Sequence, residues 1–287
     1  MKKYIFSLFS LLILNSCEDV FTQEITPPKE ATEKKCVVMS YLSPGAIPGV
    51  GLQWSHPILE YNKNEIDVIR NAQATLRNKT TGESTNLAFD KNKQIYLREN
   101  EGFKIEENNT YQLIINIPNH REISAECTVP PQLNTEIQNI KMIPSIIDGK
   151  KHFEVSFEFK DHASSERNYY LASVKAYGRG VKESLKVQPF TNLNREGKNI
   201  VVHSEKVSRD FEGFSRIIVN LLLVDKNFYN YKRTVMQQIG NSDLDLEAFT
   251  EPVFVISNIH NGLGIFGAYT RVTQVKDLKP NPFSFKN

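Results

Sequence analysis

The chain lacks an apolar run long enough to cross a bilayer, has little cysteine and holds a single tryptophan, Trp54. The longest apolar stretch, Ile5 to Leu14 broken only by serines, falls short of the roughly 20 residues a spanning helix needs. Its cysteines, Cys17, Cys36 and Cys127, contain no C-x-x-C pair and no metal-type spacing, so zinc has no ligand set. Charge of either sign is also not in excess. Lys and Arg number 35 against 33 Asp and Glu, and removing Lys2 and Lys3 with residues 1–16 brings them level. A nucleic-acid partner wants a basic footprint, so that class is set aside. The 6 histidines are scattered, from His56 to His260, without partners at ligand spacing, and no G-x-S-x-G elbow is present. No catalytic constellation is legible, and the expectation is a protein that is not an enzyme and carries no cofactor.

What is present starts at the N-terminus. Lys2 and Lys3, the short apolar core and then Leu14-Asn15-Ser16-Cys17 read as a bacterial lipoprotein signal over residues 1–16. Processing would make Cys17 the acylated first residue, and two or more acyl chains hold a protein stably at a membrane where one does not. Glu18 and Asp19 read either as a sorting signal, similar to the surface-export signals of Bacteroidota-type lipoproteins, or as solvated tether. Residues 17–35 carry Pro27, Pro28, four glutamates and three lysines with no apolar period, a tether too polar to bury anything. The expected location is the outer membrane, lipid-anchored and facing outward.

From Cys36 onward the period becomes two. Cys36–Leu42, Ala72–Asn78, Gln94–Arg98, Tyr111–Ile117 and Ile123–Val129 predict short strands, with Tyr111, Leu113, Ile115 and Ile117 on one face. Pro130-Pro131 ends this block, because two prolines cannot continue a ladder. Beyond it, Phe153, Val155, Phe157 and Phe159 alternate with polar residues, and Tyr169–Tyr177, Ile200–His203, Ile217–Val224, Val253–Ile259 and Ile265–Val272 predict further strands. Asp225 can cap a helix over 226–238, in which Phe228, Tyr231, Val235 and Ile239 share a face. The fold class expected is mainly β: two consecutive antiparallel β-sandwich domains, Ig-like or transthyretin-like, over 36–131 and 132–287, with one short helix.

Several motifs carry a choice of readings. Gly262, Gly264 and Gly267 fit G-x-G-x-x-G, yet a dinucleotide loop needs a following helix and an acidic residue about 20 positions on, and neither is available. Asn261-Gly262 is read instead as the turn of a hairpin over 258–268. Cys36 and Cys127 could form one disulfide; Cys127 also fits the buried face of a strand, where a free cysteine acts as a small hydrophobe. The Pro/Gly-rich stretch Ser43–Gly51 beside Trp54 could present apolar surface to a partner, or Trp54 could pack in the first core.

Taken in order, the Cys17 anchor, Val37-Val38, Ala72 to Leu76 before Thr81-Gly82, Tyr111-x-Leu113 and Ala125 to Pro130 resemble a known family. The end is the most telling part: Glu251-Pro252, Ser257-Asn258-Ile259, Asn261-Gly262 and Gly264 to Ala268. The chain is similar to the Bacteroidota outer-membrane lipoproteins of the domain-of-unknown-function class often encoded beside TonB-dependent receptors. That resemblance implies a non-catalytic accessory subunit, ligand-binding or lid-like, of a TonB-dependent outer-membrane transporter in the manner of Sus-type lipoproteins. Its partners would be the receptor, the membrane through its lipid and an unidentified nutrient. Contacts to the receptor are assigned to Trp54, Asn261, Gly262 and Phe266. The alternative is a structural, adhesive or assembly-complex subunit without a solute ligand.

Overall fold

The computed structural model describes residues 34–56, 66–162, 167–178, 180–209, 213–242 and 254–278. Lys35–Ser55 and Ile66–Asn287 gather into one compact unit. The other unit, Met1–Lys34 with His56–Glu65, lies almost wholly outside the described residues.

The compact unit is mainly β with one helix. Its strands are β1 (Cys36–Leu42), β2 (Gly49–Trp54), β3 (Gln73–Asn78), β4 (Ser84–Asp90), β5 (Ile95–Arg98), β6 (Thr110–Asn116) and β7 (Ile123–Thr128). There follow β8 (Gln138–Ile147), β9 (Lys150–Lys160), β10 (Tyr169–Gly178), β11 (Val181–Leu185), β12 (Phe190–Thr191), β13 (Asn199–His203) and β14 (Phe214–Val224). Helix α1 (Lys226–Ser242) and β15 (Leu263–Asp277) complete it. One 12-stranded sheet runs β11-β10-β14-β15-β1-β2-β5-β4-β3-β6-β7, with β12 pairing β10, and a separate three-stranded sheet runs β13-β9-β8.

Two hydrophobic cores result. The first takes the inward residues of β1 to β7, such as Val38, Leu52, Leu76, Tyr96, Tyr111 and Leu113, together with Ile259, Phe266 and Ala268 from the end of the chain. The second lies between the three-stranded sheet and strands β10 and β14 of the large one: Phe153, Val155, Phe157 and Phe159 of β9 pack with Tyr170, Val174, Val219 and Leu221. The alternation predicted for β9 is thus the inner face of a two-layer arrangement.

β15 belongs to both halves. Its N-terminal part pairs parallel with β1, from Val37↔Leu263 to Leu42↔Ala268, and the rest pairs antiparallel with β14, from Val224↔Tyr269 to Arg216↔Asp277. Thr270 Oγ1 also donates to the carbonyl of Pro131 at 2.8 Å, tying the diproline link to the same strand. The C-terminal block therefore supplies a strand and three core residues to the N-terminal one.

Helix α1 begins where Asp225 Oδ1 accepts hydrogen bonds from the Asn227 and Phe228 amides at 2.8 and 3.0 Å, the N-cap arrangement read from the sequence. It covers the outer face of the β1/β15 pair: Phe228 meets Tyr41 at 4.6 Å between ring centroids, and Tyr231 Oη lies 3.5 Å from Met39 Sδ. Ile265, fully buried yet outside both cores, faces this layer. The predicted apolar stripe does not persist to its last member, because Ile239 is 47% exposed.

Three expectations are corrected. Val253–Ile259 was expected to be a strand, but its described part, 254–259, has no strand conformation, with His260 forming an isolated bridge to Ser124. Without a first strand there is no 258–268 hairpin; Asn261 has φ 57 and turns the chain directly into β15. The loop expected over Ser43–Gly51 is a strand from Gly49 on, where glycine serves packing: a Cβ at Gly49 would meet Leu97 Cδ2 at 2.8 Å and the Tyr96 carbonyl at 2.9 Å. A two-residue turn with positive φ at both positions instead joins β8 to β9, at Asp148 (φ 50) and Gly149 (φ 74), the geometry of a type I′ hairpin.

At Gly264 (φ +104) a Cβ would lie 2.1 Å from the Val38 carbonyl oxygen, whereas Gly82 (φ +85) has nothing within 4 Å. Gly264→Ala should cost about 3 kcal/mol or more, since backbone must move, and Gly82→Ala only about 1–2 kcal/mol of conformational strain. Urea denaturation of the two variants checks this, and equal losses would refute the packing account.

Candidate functional site

The three glycines of the G-x-G-x-x-G motif lie against protein atoms. A Cβ at Gly262 would meet the Cys36 carbonyl and Ile259 Cγ2 at 2.9 Å, one at Gly264 would strike Val38, and one at Gly267 would meet Phe228 Cβ at 2.8 Å. Their role is close approach of β15 to β1 on one side and α1 on the other.

Asn258 completes this seam. Its Oδ1 accepts from the Phe266 amide at 3.0 Å, while Nδ2 donates to the Phe266 carbonyl at 2.7 Å and to the Glu126 carbonyl of β7 at 3.1 Å. One side chain thus takes the place of a strand, pairing with β15 and reaching the open edge of β7. Asn261 Nδ2 adds a bond to the Glu122 carbonyl at 2.9 Å, and His260 and Ser124 exchange backbone bonds.

Asp225 fastens the other side. Beyond capping α1, its Oδ2 accepts a short hydrogen bond from the Ala268 amide. Burial pushes this carboxyl up to about 6, while the amides of Ala268, Phe228 and Asn227 pull it down. A second buried carboxylate, Asp161, accepts from Tyr170 Oη at 2.6 Å, Gly197 N at 2.8 Å, Asn192 Nδ2 at 3.0 Å and Asn168 Nδ2 at 3.2 Å. Saturated with donors, it ties Asn168 and Tyr170 to Asn192 and Gly197. Neither Asn258 nor Asp161 was singled out from sequence. Asn258 sits in Ser257-Asn258-Ile259, where an amide interrupting an apolar stretch was the available signal; Asp161 leaves no trace in the period.

Where the two cores meet there is a cleft of about 660 Å³, lined among others by Pro130, Pro131, Arg167, Tyr169, Val224 and Lys226. Tyr169 stands against Tyr229 at 5.0 Å. The lining of the cleft mixes Val129, Leu223 and Val224 with Asn108, Asn168 and Asp225, and Arg167 and Lys226 are exposed. Among the described residues no three of His, Cys, Asp and Glu gather into a metal ligand set.

Of the residues assigned from sequence, Cys17, Glu18 and Asp19 lie outside the described residues. Trp54 is half-buried at the end of β2, packed against the first core with its ring 4.7 Å from that of His120. Asn261 is exposed and Gly262 partly so, but Phe266 is 0% exposed and is withdrawn as a partner contact, because its ring is core. Cys36 and Cys127 are both buried free thiols rather than a disulfide. Burial pushes the Cys36 thiol up to about 12 and the Cys127 thiol well above its ordinary range.

These features define a mainly β protein with two cores clasped by one shared strand. Residues 22–275 match the family described as "Domain of unknown function (DUF4249)", and the chain belongs to that family. Comparison with curated proteins gives no significant match. Among solved structures, one described as "The Enterococcus faecalis MSCRAMM ACE binds its ligands by the collagen Hug Model" is similar at 7% identity. The alignment covers 86% of this chain and 96% of that one with a TM-score of 0.19, which carries no argument.

Two measurements follow. Because only thiolate reacts, Cys36 and Cys127 should resist maleimide in the folded chain, and both should be labelled on unfolding without reductant; intact mass showing no adducts after unfolding would mean a disulfide. Because the folded value of Asp225 lies above its ordinary 3.8, its contribution to stability is complete below that pH and is lost as pH rises through about 6. The stability of the wild type minus that of Asp225→Asn should therefore fall between about pH 4 and pH 7; a flat difference would show that the amide bonds offset burial, and a rising one that they outweigh it.

Proposed function

We propose that this chain is an outer-membrane lipoprotein, facing outward, that acts as a non-catalytic accessory subunit of a TonB-dependent transporter. The observation that carries the reading is Leu14-Asn15-Ser16-Cys17 behind a short basic and apolar leader, followed by a polar stretch to residue 35 and then a compact β unit. Such an arrangement tethers a folded body beside a bilayer, where a linked module meets its partner at high effective concentration. The cleft bounded by Arg167, Lys226 and Tyr169 supports the ligand-capturing form of the role. Among the described residues no helix is long and apolar enough to cross a membrane, so in this reading attachment falls to the acyl chains on Cys17.

The chain carrying a C-terminal tag, expressed in its own host and extracted gently from outer membrane, is expected to bring down a β-barrel receptor in stoichiometric amount by mass spectrometry. It should incorporate labelled palmitate, and Cys17→Ala should abolish both the label and membrane retention. Recovery alone or with outer-membrane assembly factors would overturn the transport reading in favour of a structural subunit. Absence of label would remove the anchor itself.

A further inference from the structure

Strand β13 is an outer member of the three-stranded sheet, paired with β9 in unbroken register from Asn199↔Lys160 to His203↔Ser156. The Asp161 amide donates to the Lys198 carbonyl and the Ser204 amide to the Val155 carbonyl, each at 2.9 Å. Rungs of an antiparallel ladder alternate, so Ile200 and Val202 bond to β9 as well, and Asn199, Val201 and His203 turn their amides and carbonyls the other way. Glu205, next in that outward set, donates its amide to the Lys186 carbonyl at 2.8 Å. One rung of a further ladder is therefore in place. It does not continue, because residues 186–189 have no strand conformation and Pro189 has no N–H to offer. Val201 and His203 keep no backbone partner on that side among the described residues.

A groove of about 310 Å³ lies along this edge. It is lined by Ile200 and Val202 from the inner face of β13 and by Val201 and His203 from the outer, which an opening on one face alone would not allow. Sheet edges are commonly blunted by proline, lysine, a bulge or a covering segment. β8 has Pro144 and a register shift between Gln138 and Lys141, and β7 is met by Asn258, His260 and Asn261. Asn199–His203 has no proline, lysine or bulge, and Val201 is 54% exposed. The ends of the groove are cationic. Lys186 stands at the Glu205 end, and Arg195, whose carbonyl accepts from the Lys198 amide at 3.0 Å, stands at the other. Both are exposed, and neither pairs with an acid among the described residues. The nearby carboxylates are engaged elsewhere: Glu205 by the Lys186 amide, Glu196 by the Asn194 amide, Glu154 by His203 and Glu158 by Asn139.

We propose that the open edge of β13 is a docking site for an extended segment of a partner protein. The segment adds as a further strand beside Asn199–His203, sets an apolar side chain next to Val201 and brings acidic side chains to Lys186 and Arg195. Strand addition of this kind takes its affinity from main-chain bonds and its selectivity from side chains at alternate positions. The charge at the two ends favours such a segment over a second copy of this chain. Antiparallel pairing of β13 with itself would bring the Lys186 end of one copy to the Arg195 end of the other, so that like charges meet. The site belongs to the folded body alone and goes beyond the accessory role, holding with or without a lipid on Cys17.

The test uses the full mature chain with Cys17→Ser and a fluorescein-labelled peptide, Asp-Thr-Thr-Val-Thr-Thr-Asp, whose extended length matches that from Lys198 to Ser204. Anisotropy is expected to show saturable binding, at least about tenfold tighter than that of the same peptide with lysine in place of both aspartates. Val201→Pro removes an amide that bonds nothing in the fold, so it should leave melting nearly unchanged and abolish binding. Lys186→Gln with Arg195→Gln should weaken binding and erase the preference for the acidic peptide. Hydrogen exchange on the parent chain should show the Val201 and His203 amides fast when free and slowed by the peptide, a reading that stands even where the proline variant fails to fold. No binding by the acidic peptide, equal binding by the two peptides, binding indifferent to Val201→Pro, or protection elsewhere than β13 would each overturn the proposal. A dimer in solution that Val201→Pro dissociates would give the edge to a second copy and overturn it as well.

Discussion

The close parallel approach of β15 to β1 is the contact on which the rest of the compact unit depends. Backbones of paired strands must come within about 4.8 Å, and at Gly264, with φ +104 and Val38 where a Cβ would be, no side chain is compatible with that approach. From this line the molecule divides. One side of the pair is the first core, with Phe266 and Ala268 buried in it, and the other is covered by α1 through Tyr41 and Phe228. Farther along, the same strand becomes the partner of β14 and part of the wall of the second core. Two sets of strands far apart in sequence are held by one element that arrives last.

Around that strand two side chains answer backbone groups that irregular neighbours would leave open, while the buried Tyr41 Oη has no hydrogen-bond partner among the described residues. Asn258 answers both backbone groups of Phe266 and reaches β7, and Asp225 answers Ala268 while capping the helix. Buried polar groups cost about 1–3 kcal/mol each when left alone, so these two side chains allow an irregular segment and a helix start to lie against a strand. The glycines that resembled a nucleotide loop are part of the same solution, since they let the three elements touch. A pattern associated with phosphate binding here records the thickness of a backbone.

Much of the architecture was legible beforehand. Strand β1 falls over Cys36–Leu42 as expected, and β9 follows from Phe153, Val155, Phe157 and Phe159, because a strand with one buried face must alternate. The start of α1 followed from Asp225, whose side chain competes for the first amides of a helix. Illegible were the places where a tertiary neighbour decides: Gly49-Val50-Gly51 looked like loop because its glycines are there to admit β5. Val253–Ile259 looked like strand from its apolar residues, yet Phe254 is 87% exposed, Ile259 enters the first core and Asn258 does the pairing. Asp148-Gly149 carries the same hairpin signal as Asn261-Gly262, and it is there that the two-residue turn forms. Of the candidate contacts, Phe266 illustrates the limit of reading exposure from a motif, since a phenylalanine after Gly264-Ile265 is core or surface only by virtue of what faces it.

By itself, the sequence determined the fold class of the protein: from Cys36 on, a period of two and a lack of long amphipathic segments leave little but β-sheet. Those are local properties, set by side-chain alternation and backbone freedom within a few residues. The tertiary structure alone decided that the last strand would serve the first core, that Asn258 would stand in for a strand and that Cys36 and Cys127 would be separately buried. Each depends on contacts between residues tens to hundreds of positions apart, where the deciding term is how closely two backbones can approach, and nothing local encodes that distance.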